Sequence, residues 1–172
     1  MSESFERYIR EIPDFPKPGI VFRDITPALL EPRVFRELCD KLYAHCAGPK
    51  IDKVAAVESR GFIFGSVLAY KMGVGFIPVR KPGKLPWKTI HEKYSLEYGE
   101  AAVEMHIDAV SKGERILILD DLLATGGTAA AAARLIERQG GIVEELVFLI
   151  ELTELGGRNA LGGRKIYSLM RF

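Results

Sequence analysis

Residues 116–128 read ILILDDLLATGGT and are followed by AAAAARLIER. The four apolar residues at the start do not alternate with polar ones, which predicts a strand buried on both faces. Residues 128–138 have a helix-forming composition. Asp120, Asp121 and the glycine-containing turn therefore lie where a strand meets a helix, and such a junction is a common ligand site in open α/β sheets.

The turn has the chemistry of a phosphate site. The backbone N–H groups of residues 124–128, the hydroxyls of Thr125 and Thr128 and the positive end of the following helix together favour a phosphate dianion. Asp120 and Asp121 would repel a polyphosphate, so they require a neutral hydroxylated group, a metal ion or both, and a ribose diol meets that requirement. The alternative is that the two acids only cap the helix, with the glycines in an ordinary turn.

The flanking sequence predicts the rest of the sheet. Strands are expected at residues 53–57, 75–79, 102–107, 115–120 and 141–151, with a buried helix at 62–72 and a last apolar run at 166–169. The order strand, helix, strand predicts parallel pairing. Before them, helices are expected at residues 3–12 and 33–46. The length of 172 residues predicts one domain, residues 1–172, with an open, mainly parallel twisted sheet flanked by helices.

A second strand end carries Ser59, Arg60 and Gly61. A parallel sheet brings both strand ends to one edge, where the forked donors of Arg60 suit a diphosphate. The alternative is a surface arginine in a turn, which is common.

A long segment at residues 80–98 contains prolines, glycines and the cations Arg80, Lys81 and Lys84, and it carries the acid Glu97 near its end. It fits a flexible lid that brings positive charge to a leaving pyrophosphate, or equally a solvated surface loop.

These motifs resemble those of known enzymes. The strand, paired acids and Thr-Gly-Gly-Thr turn resemble the phosphoribosyl-pyrophosphate signature of type I phosphoribosyltransferases. The segments FPKPGIVFRDITP at 15–27 and KLPWKTIHEKYSLEYG at 84–99 are similar to those of adenine phosphoribosyltransferases, and the likeness covers nearly the whole chain. The resemblance implies a small hood from about residues 1–30 and 152–172, a lid loop at about 80–99, and a cis peptide bond at Glu58–Ser59.

The resemblance also implies a reaction. The 5-phosphoribosyl group would pass from phosphoribosyl pyrophosphate to adenine with Mg²⁺, giving AMP and pyrophosphate in purine salvage, in a homodimer. Glu97 and Arg60 would be the catalytic residues, with Glu97 acting as acid/base near N7 of the purine. Phe22 and Leu152 would sandwich the base while the backbone of Val21 and Arg23 binds its edge; without the resemblance, Phe22 would be a core aromatic.

The residues expected to bind phosphoribosyl pyrophosphate are Ser59, Arg60, Arg80, Lys81, Lys84, Tyr98, Asp120, Asp121, Ala124, Thr125, Gly126, Gly127 and Thr128. No direct protein ligand of Mg²⁺ is assigned, because substrate oxygens and water are expected to hold most of the ion.

Composition narrows the alternatives. The net charge is +1, with acids and bases mixed along the chain, which disfavours nucleic acid and anionic membranes as partners. The start, MSESFERYIR, lacks the apolar core of a signal peptide, so a cytoplasmic protein is expected. The remaining alternatives are the same chemistry on hypoxanthine, guanine or orotate, a regulator that senses phosphoribosyl pyrophosphate and binds nucleic acid, and a structural domain with vestigial motifs.

Overall fold

The computed structural model describes residues 5–96 and 99–172. They form two compact units, Met1–His45 and Cys46–Phe172, which are described separately. The prediction of a single domain over residues 1–172 stays a prediction. Of the described helices, none is long and apolar enough to cross a bilayer.

The N-terminal unit contains a small antiparallel sheet and two helices. After a 3-10 turn at Phe5–Tyr8 come β1 (Arg10–Pro13), β2 (Val21–Asp24), α1 (Thr26–Leu30) and α2 (Pro32–Cys46), whose last residue belongs to the second unit. The predicted helix at residues 3–12 is wrong in its second half, because Arg10 to Pro13 pair with β2, with Ile12 opposite Phe22. This pairing satisfies the backbone of β1 through a partner ten residues away, which local helical periodicity does not reveal.

The C-terminal unit is built on a five-stranded parallel sheet. Its elements in chain order are β3 (Lys53–Val57), α3 (Gly61–Met72), β4 (Gly75–Val79), β5 (Thr89–Leu96), β6 (Gly99–His106), β7 (Arg115–Leu123), α4 (Gly127–Arg138), β8 (Ile142–Glu151) and β9 (Ile166–Arg171). The order β4-β3-β7-β8-β9 is parallel throughout, as the sequence predicts. The strands β5 and β6 form a separate antiparallel hairpin.

The strand β7 lies at the centre of the sheet because it is apolar on both faces. The residues Ile116, Leu117, Ile118 and Leu119 are each at most 1% exposed. The unbroken burial stops at Asp120, which is partly exposed, and buried and partly exposed residues then alternate as far as Leu123, so Asp120 and Asp121 lie near the carboxyl end of the strand. The same end of β3 is followed by Glu58 to Arg60, which places both predicted strand ends at one edge of the sheet.

The segment at residues 80–99 differs from the expected loop, since Thr89–Leu96 is a strand. Its partner β6 runs back alongside it, with Thr89 opposite His106 and Tyr94 opposite Ala101. Of the part of this segment that the structure describes, residues 81–88 are irregular. The hydrophobic pattern did not predict this strand because β5 contains several charged residues. A two-stranded hairpin can carry them, since one of its faces can remain in water.

The tail is fixed to the sheet by an ion pair. After β8, short 3-10 turns at Thr153–Leu155 and Gly157–Leu161 lead towards β9. Arg158 donates two hydrogen bonds to the buried carboxylate of Glu151, Nε to Oε1 at 2.7 Å and Nη2 to Oε2 at 2.8 Å. The Arg158 hydrogen bonds outweigh burial, which acts in the opposite direction, and lower the pKa of Glu151 from 4.5 to about 2.

Replacing Arg158 with glutamine is expected to lower the melting temperature at neutral pH by about 4 to 8 °C, because a buried carboxylate loses a bidentate partner worth about 2 kcal/mol. The folded pKa of Glu151 lies below its ordinary value, so the contribution of the pair is present above pH 4.5 and is lost as the pH falls towards about 2. Between pH 7 and pH 3, the melting temperature of Arg158→Gln should therefore fall by less than that of the wild type. The control Arg33→Gln, which breaks an exposed pair with Glu37, should show the same pH dependence of the melting temperature as the wild type. If Arg158→Gln also shows the wild-type pH dependence, Arg158 does not hold down the pKa of Glu151.

Candidate active site

A cavity of about 520 Å³ opens at the carboxyl ends of β3 and β7. It brings together seven of the residues predicted from the sequence: Ser59, Arg60, Lys81, Asp120, Asp121, Ala124 and Thr128. Val57, Glu58, Tyr94, Val103 and Leu122 complete its lining. The cavity therefore joins the two strand ends that the sequence singles out, with a cation from residues 80–88 and a tyrosine from the hairpin.

The two aspartates have different environments. Asp121 is buried, and its Oδ2 accepts a hydrogen bond from Nε of Arg60, with which it forms an ion pair. Oδ1 of Asp120 accepts the backbone N–H of Asp121 at 2.9 Å. Burial, followed by the negative charge of Asp121, raises the pKa of Asp120 well above its usual range. A positive charge developing beside this pair would be stabilised, and the carboxyl oxygens can bind hydroxyl groups.

The turn between β7 and α4 forms a smaller hollow of about 70 Å³. It is lined by Asp120 and by residues 122–129, which include all five predicted phosphate-binding residues, Ala124, Thr125, Gly126, Gly127 and Thr128. Gly126 precedes α4 with φ of 83°, in the left-handed region that favours glycine. The hollow thus lies at the N-terminus of a 12-residue helix, where backbone N–H groups attract anions.

The tail supports this turn from outside the cavity. A Cβ atom added at Gly126 would lie less than 3.0 Å from the carbonyl oxygen of Gly157, and one added at Gly157 would meet the carbonyl oxygen of Ala124 equally closely. The backbones of these two segments are therefore packed without room for a methyl group. Sequence reasoning missed Gly157; the glycine-rich composition of the tail was the available signal.

Glu58 orients the cationic segment at the mouth of the cavity. Its carboxylate accepts the backbone N–H of Lys81 at 3.0 Å and forms an ion pair with Arg80. Burial acts to raise the pKa of Glu58, but the Lys81 N–H and the Arg80 guanidinium lower it overall, so the carboxylate is charged at neutral pH. The Glu58–Ser59 peptide bond is cis, as expected. The role of Glu58 was not predicted, because a strand-end glutamate has no signal that names its partners.

Glu104 on β6 is a second carboxylate that sequence reasoning missed. It is buried, and it accepts hydrogen bonds from the backbone N–H groups of Lys84 at 3.0 Å and Leu85 at 3.1 Å and from the hydroxyl of Thr89 at 3.1 Å. Burial tends to raise the pKa of Glu104, but these donors lower it overall. Glu104 thereby fixes the segment that precedes β5. Among the described residues that line the cavity, Lys81 is the one cation from this segment; Arg80 and Lys84 are not part of the lining.

Comparison with known proteins identifies the family. The family model for the phosphoribosyl transferase domain matches residues 25–152. An adenine phosphoribosyltransferase of Anaeromyxobacter dehalogenans is 54% identical over 172 residues, which is 100% of both chains. The crystal structure of an adenine phosphoribosyltransferase from Thermoanaerobacter pseudethanolicus has a TM-score of 0.96 at 54% identity and covers 98% of both chains.

The chain belongs to the adenine phosphoribosyltransferase family. A more distant member, from Saccharomyces cerevisiae, is 39% identical with a TM-score of 0.92 over 96% of both chains. It was crystallised with adenine and an imino-altritol bisphosphate. The fold predicted from the sequence, a parallel sheet flanked by helices of the type I phosphoribosyltransferase kind, is confirmed by these similarities.

The residues that resemble this family's adenine segment lie on β2, in the N-terminal unit. Val21 and Arg23 flank Phe22, whose ring meets that of Phe15 edge-on at 5.2 Å between centroids. Leu152 lies in the C-terminal unit and donates its backbone N–H to the carbonyl of Leu123 at 2.9 Å. A base held between Phe22 and Leu152 stays a prediction.

Two further predicted residues of the phosphoribosyltransferase site, Glu97 and Tyr98, lie outside the described residues. Within residues 5–96 and 99–172, no group of three or more His, Cys, Asp or Glu residues could hold a metal ion. The carboxylates of the cavity are Glu58, Asp120 and Asp121, and two of them are bound to arginines. This donor set fits an ion that is held mainly by substrate oxygens and water.

Proposed function

We propose that the cavity is where the reaction of this family takes place, the transfer of the 5-phosphoribosyl group from phosphoribosyl pyrophosphate to adenine. The observation that carries the proposal is a cavity with two carboxylates that adjoins the hollow at the N-terminus of α4; the two share Asp120, Ala124 and Thr128. The products are AMP and pyrophosphate, as in purine salvage.

Each part of the substrate has a matching group. The backbone N–H groups of residues 124–128, with the hydroxyls of Thr125 and Thr128, would bind the 5′-phosphate. Asp120 and Asp121 would bind the ribose hydroxyls. Because the bond to pyrophosphate breaks early, positive charge develops on the ribose ring, and the two carboxylates stabilise it. Binding energy from the phosphate serves mainly to position the sugar.

The leaving pyrophosphate requires positive charge. Arg60 lies in the cavity with its guanidinium bound to Asp121, and Lys81 enters from residues 80–88 with its backbone held by Glu58. We assign the pyrophosphate contacts to Ser59, Arg60 and Lys81 and keep Arg80, Lys84 and Tyr98 as predicted contacts. Mg²⁺, held mainly by substrate oxygens and water, would supply further charge neutralisation of the leaving pyrophosphate.

The choice of base follows from hydrogen-bond polarity. Adenine offers an N6–H donor and an N1 acceptor, whereas hypoxanthine and guanine reverse this pattern with O6 and N1–H. A fixed carbonyl and N–H pair from the backbone of Val21 and Arg23 would select amino over oxo purines, since buried polar mismatches discriminate on the order of ten-thousand-fold. The relatives named for adenine, including the yeast protein crystallised with that base, support this assignment.

The remaining assignments extend the proposal beyond the cavity. A homodimer and a cytoplasmic location are proposed from the resemblance and from the sequence. A nucleic-acid-binding regulator is the competing function, and the balanced charge of the chain disfavours it.

The deciding assay measures product formation from phosphoribosyl pyrophosphate with adenine or hypoxanthine, each with and without Mg²⁺. AMP formation that requires both adenine and Mg²⁺ is the expected result. Equal rates with hypoxanthine would contradict the choice of base, and no product with either base would contradict the reaction.

Glu97→Gln is expected to lower kcat by about 100-fold or more, because the proposed acid/base can no longer accept the proton that adenine sheds. The affinity for phosphoribosyl pyrophosphate should change little, since the proposed contact of Glu97 is with the base. Steady-state kinetics and calorimetry measure the two effects, with Glu100→Gln, which breaks an exposed pair with Lys93, as the control. Unchanged turnover would remove Glu97 from the mechanism.

A further inference from the structure

Tyr94 on β5 reaches into the cavity and contacts the phosphate-binding turn. Its side chain is half-buried and lines the cavity beside Thr128. The hydroxyl of Thr128 donates a hydrogen bond to the phenol oxygen of Tyr94 at 3.0 Å. A phenol can both donate and accept a hydrogen bond, so Tyr94 has an O–H to give to a ligand that binds the Thr128 hydroxyl.

The hairpin that carries Tyr94 is attached to α4, the helix that the phosphate-binding turn opens. Glu92 precedes Tyr94 by two residues, so the two side chains leave the same face of β5. Oε1 of Glu92 accepts a hydrogen bond from Nε of Arg134 at 2.7 Å, and Oε2 accepts one from Nη1 of Arg138 at 2.9 Å. Arg134 and Arg138 are separated by one helical turn of α4, so a single carboxylate bridges both.

Backbone contacts reinforce this attachment. Arg138 also donates Nη1 to the carbonyl of His91 at 3.1 Å. Hydrogen bonding from Arg134 comes first among the interactions that lower the pKa of Glu92, and it outweighs burial, so the carboxylate is charged at neutral pH. The arginines are about half exposed, and each pair alone would contribute little. Together, the three side chains fix the direction of the hairpin relative to α4.

We infer that Tyr94 is a ligand of the 5′-phosphate and that Glu92 positions it by holding the hairpin against α4. The inference rests on the proposed function, because the phosphate is the part of the substrate assigned to the turn of residues 124–128. A phosphate dianion is a strong acceptor, so the phenol donates to it when the turn is occupied. The turn alone then does not make the complete phosphate site, which includes a donor from the neighbouring hairpin.

The direct test is calorimetric binding of ribose 5-phosphate and, separately, of pyrophosphate. Tyr94→Phe keeps the ring and removes the donor, and it is expected to weaken ribose 5-phosphate binding about 10- to 100-fold, the loss of one hydrogen bond to a charged group. Pyrophosphate binding should stay within about twofold of the wild type. Tyr70→Phe, which removes the hydroxyl of an exposed tyrosine on α3, serves as the control. Unchanged ribose 5-phosphate affinity, or an equal loss for pyrophosphate, would overturn the inference.

The role of Glu92 is tested by a KM and kcat comparison in the same assay. Glu92→Gln is expected to raise KM for phosphoribosyl pyrophosphate about 3- to 10-fold with kcat within about twofold. The control Lys93→Gln breaks the exposed pair between Lys93 and Glu100 on the adjacent position and should leave KM unchanged. In a protein that already carries Tyr94→Phe, Glu92→Gln should raise KM for phosphoribosyl pyrophosphate hardly further, because Glu92 acts through Tyr94. If the KM increases of the two substitutions multiply in the double variant, Glu92 does not act through Tyr94.

The two arms separate this inference from the proposed function. A wild type that forms no AMP would overturn the proposed function, while ribose 5-phosphate binding still decides the role of Tyr94. A wild type that forms AMP, with Tyr94→Phe binding ribose 5-phosphate as tightly, would overturn only the inference.

Discussion

The double variant Asp120→Asn/Asp121→Asn is expected to lower the rate of AMP formation about a thousandfold or more. The two carboxylates lie side by side at the carboxyl end of β7, and burial with mutual repulsion already raises the pKa of Asp120. Positive charge on the ribose relieves that repulsion, so their stabilisation is larger in the transition state than in the bound substrate. Asparagine keeps the shape and most hydrogen bonds but removes the charge.

Steady-state kinetics with adenine and phosphoribosyl pyrophosphate measure this loss, which should appear mainly in kcat. Asp108→Asn removes an exposed carboxylate outside the cavity lining and should leave the rate unchanged. The melting temperature of the double variant should stay close to that of the wild type, since the repulsion between the acids is lost together with the Arg60 ion pair. A loss of rate below about tenfold would remove these carboxylates from charge stabilisation.

Gly126→Val is expected to abolish measurable binding of phosphoribosyl pyrophosphate, a loss of about 100-fold or more. Valine is strained at φ of 83°, and its Cβ would be forced into the carbonyl of Gly157. The turn must move to relieve the contact, and the N–H groups that it presents to the phosphate move with it. Each of these groups makes a hydrogen bond to a charged ligand, so their loss accumulates.

Calorimetric titration with phosphoribosyl pyrophosphate measures this effect. Gly163→Val is the matched control, because Gly163 also has a positive φ, of 75°, but has open space around its Cβ position. It should bind like the wild type. Gly157→Ala approaches the same turn from the tail through the carbonyl of Ala124 and should also weaken binding while leaving φ in that turn unconstrained. Binding by both Gly126→Val and Gly157→Ala at wild-type affinity would contradict the assignment of the turn.

The sheet was predictable because its signals are local. The bounds of β3 and β4 agree with the sequence prediction, and β7 is buried on both faces as its unbroken apolar run indicates. The strand β1 was not predictable in this way, since its partner β2 lies across a loop that contains two prolines, Pro16 and Pro18. The strand β5 was missed because it is largely polar, and it is defined by pairing with β6 rather than by burial.

The site was predictable where chemistry and sequence order coincide. Asp120, Asp121 and the turn after them, nine residues in all, predict a site for a sugar and a phosphate, and they line the cavity and the adjoining hollow. Glu58 and Glu104 were missed because their partners are backbone N–H groups about 20 residues away, which no pattern of residue types reveals. The contact of Tyr94 with Thr128 likewise exists only once the hairpin lies against α4. Side chains that position other groups therefore required the structure, and so did Tyr94, whereas the acids and the turn expected to bind the substrate did not.

The most direct measurement of the central claim is a crystal structure of the chain with phosphoribosyl pyrophosphate and Mg²⁺. We expect ribose hydroxyls within hydrogen-bonding distance of Asp120 and Asp121, with the 5′-phosphate on the backbone N–H groups of residues 124–128. A phosphate bound away from that turn, or a sugar that does not contact either aspartate, would contradict that claim.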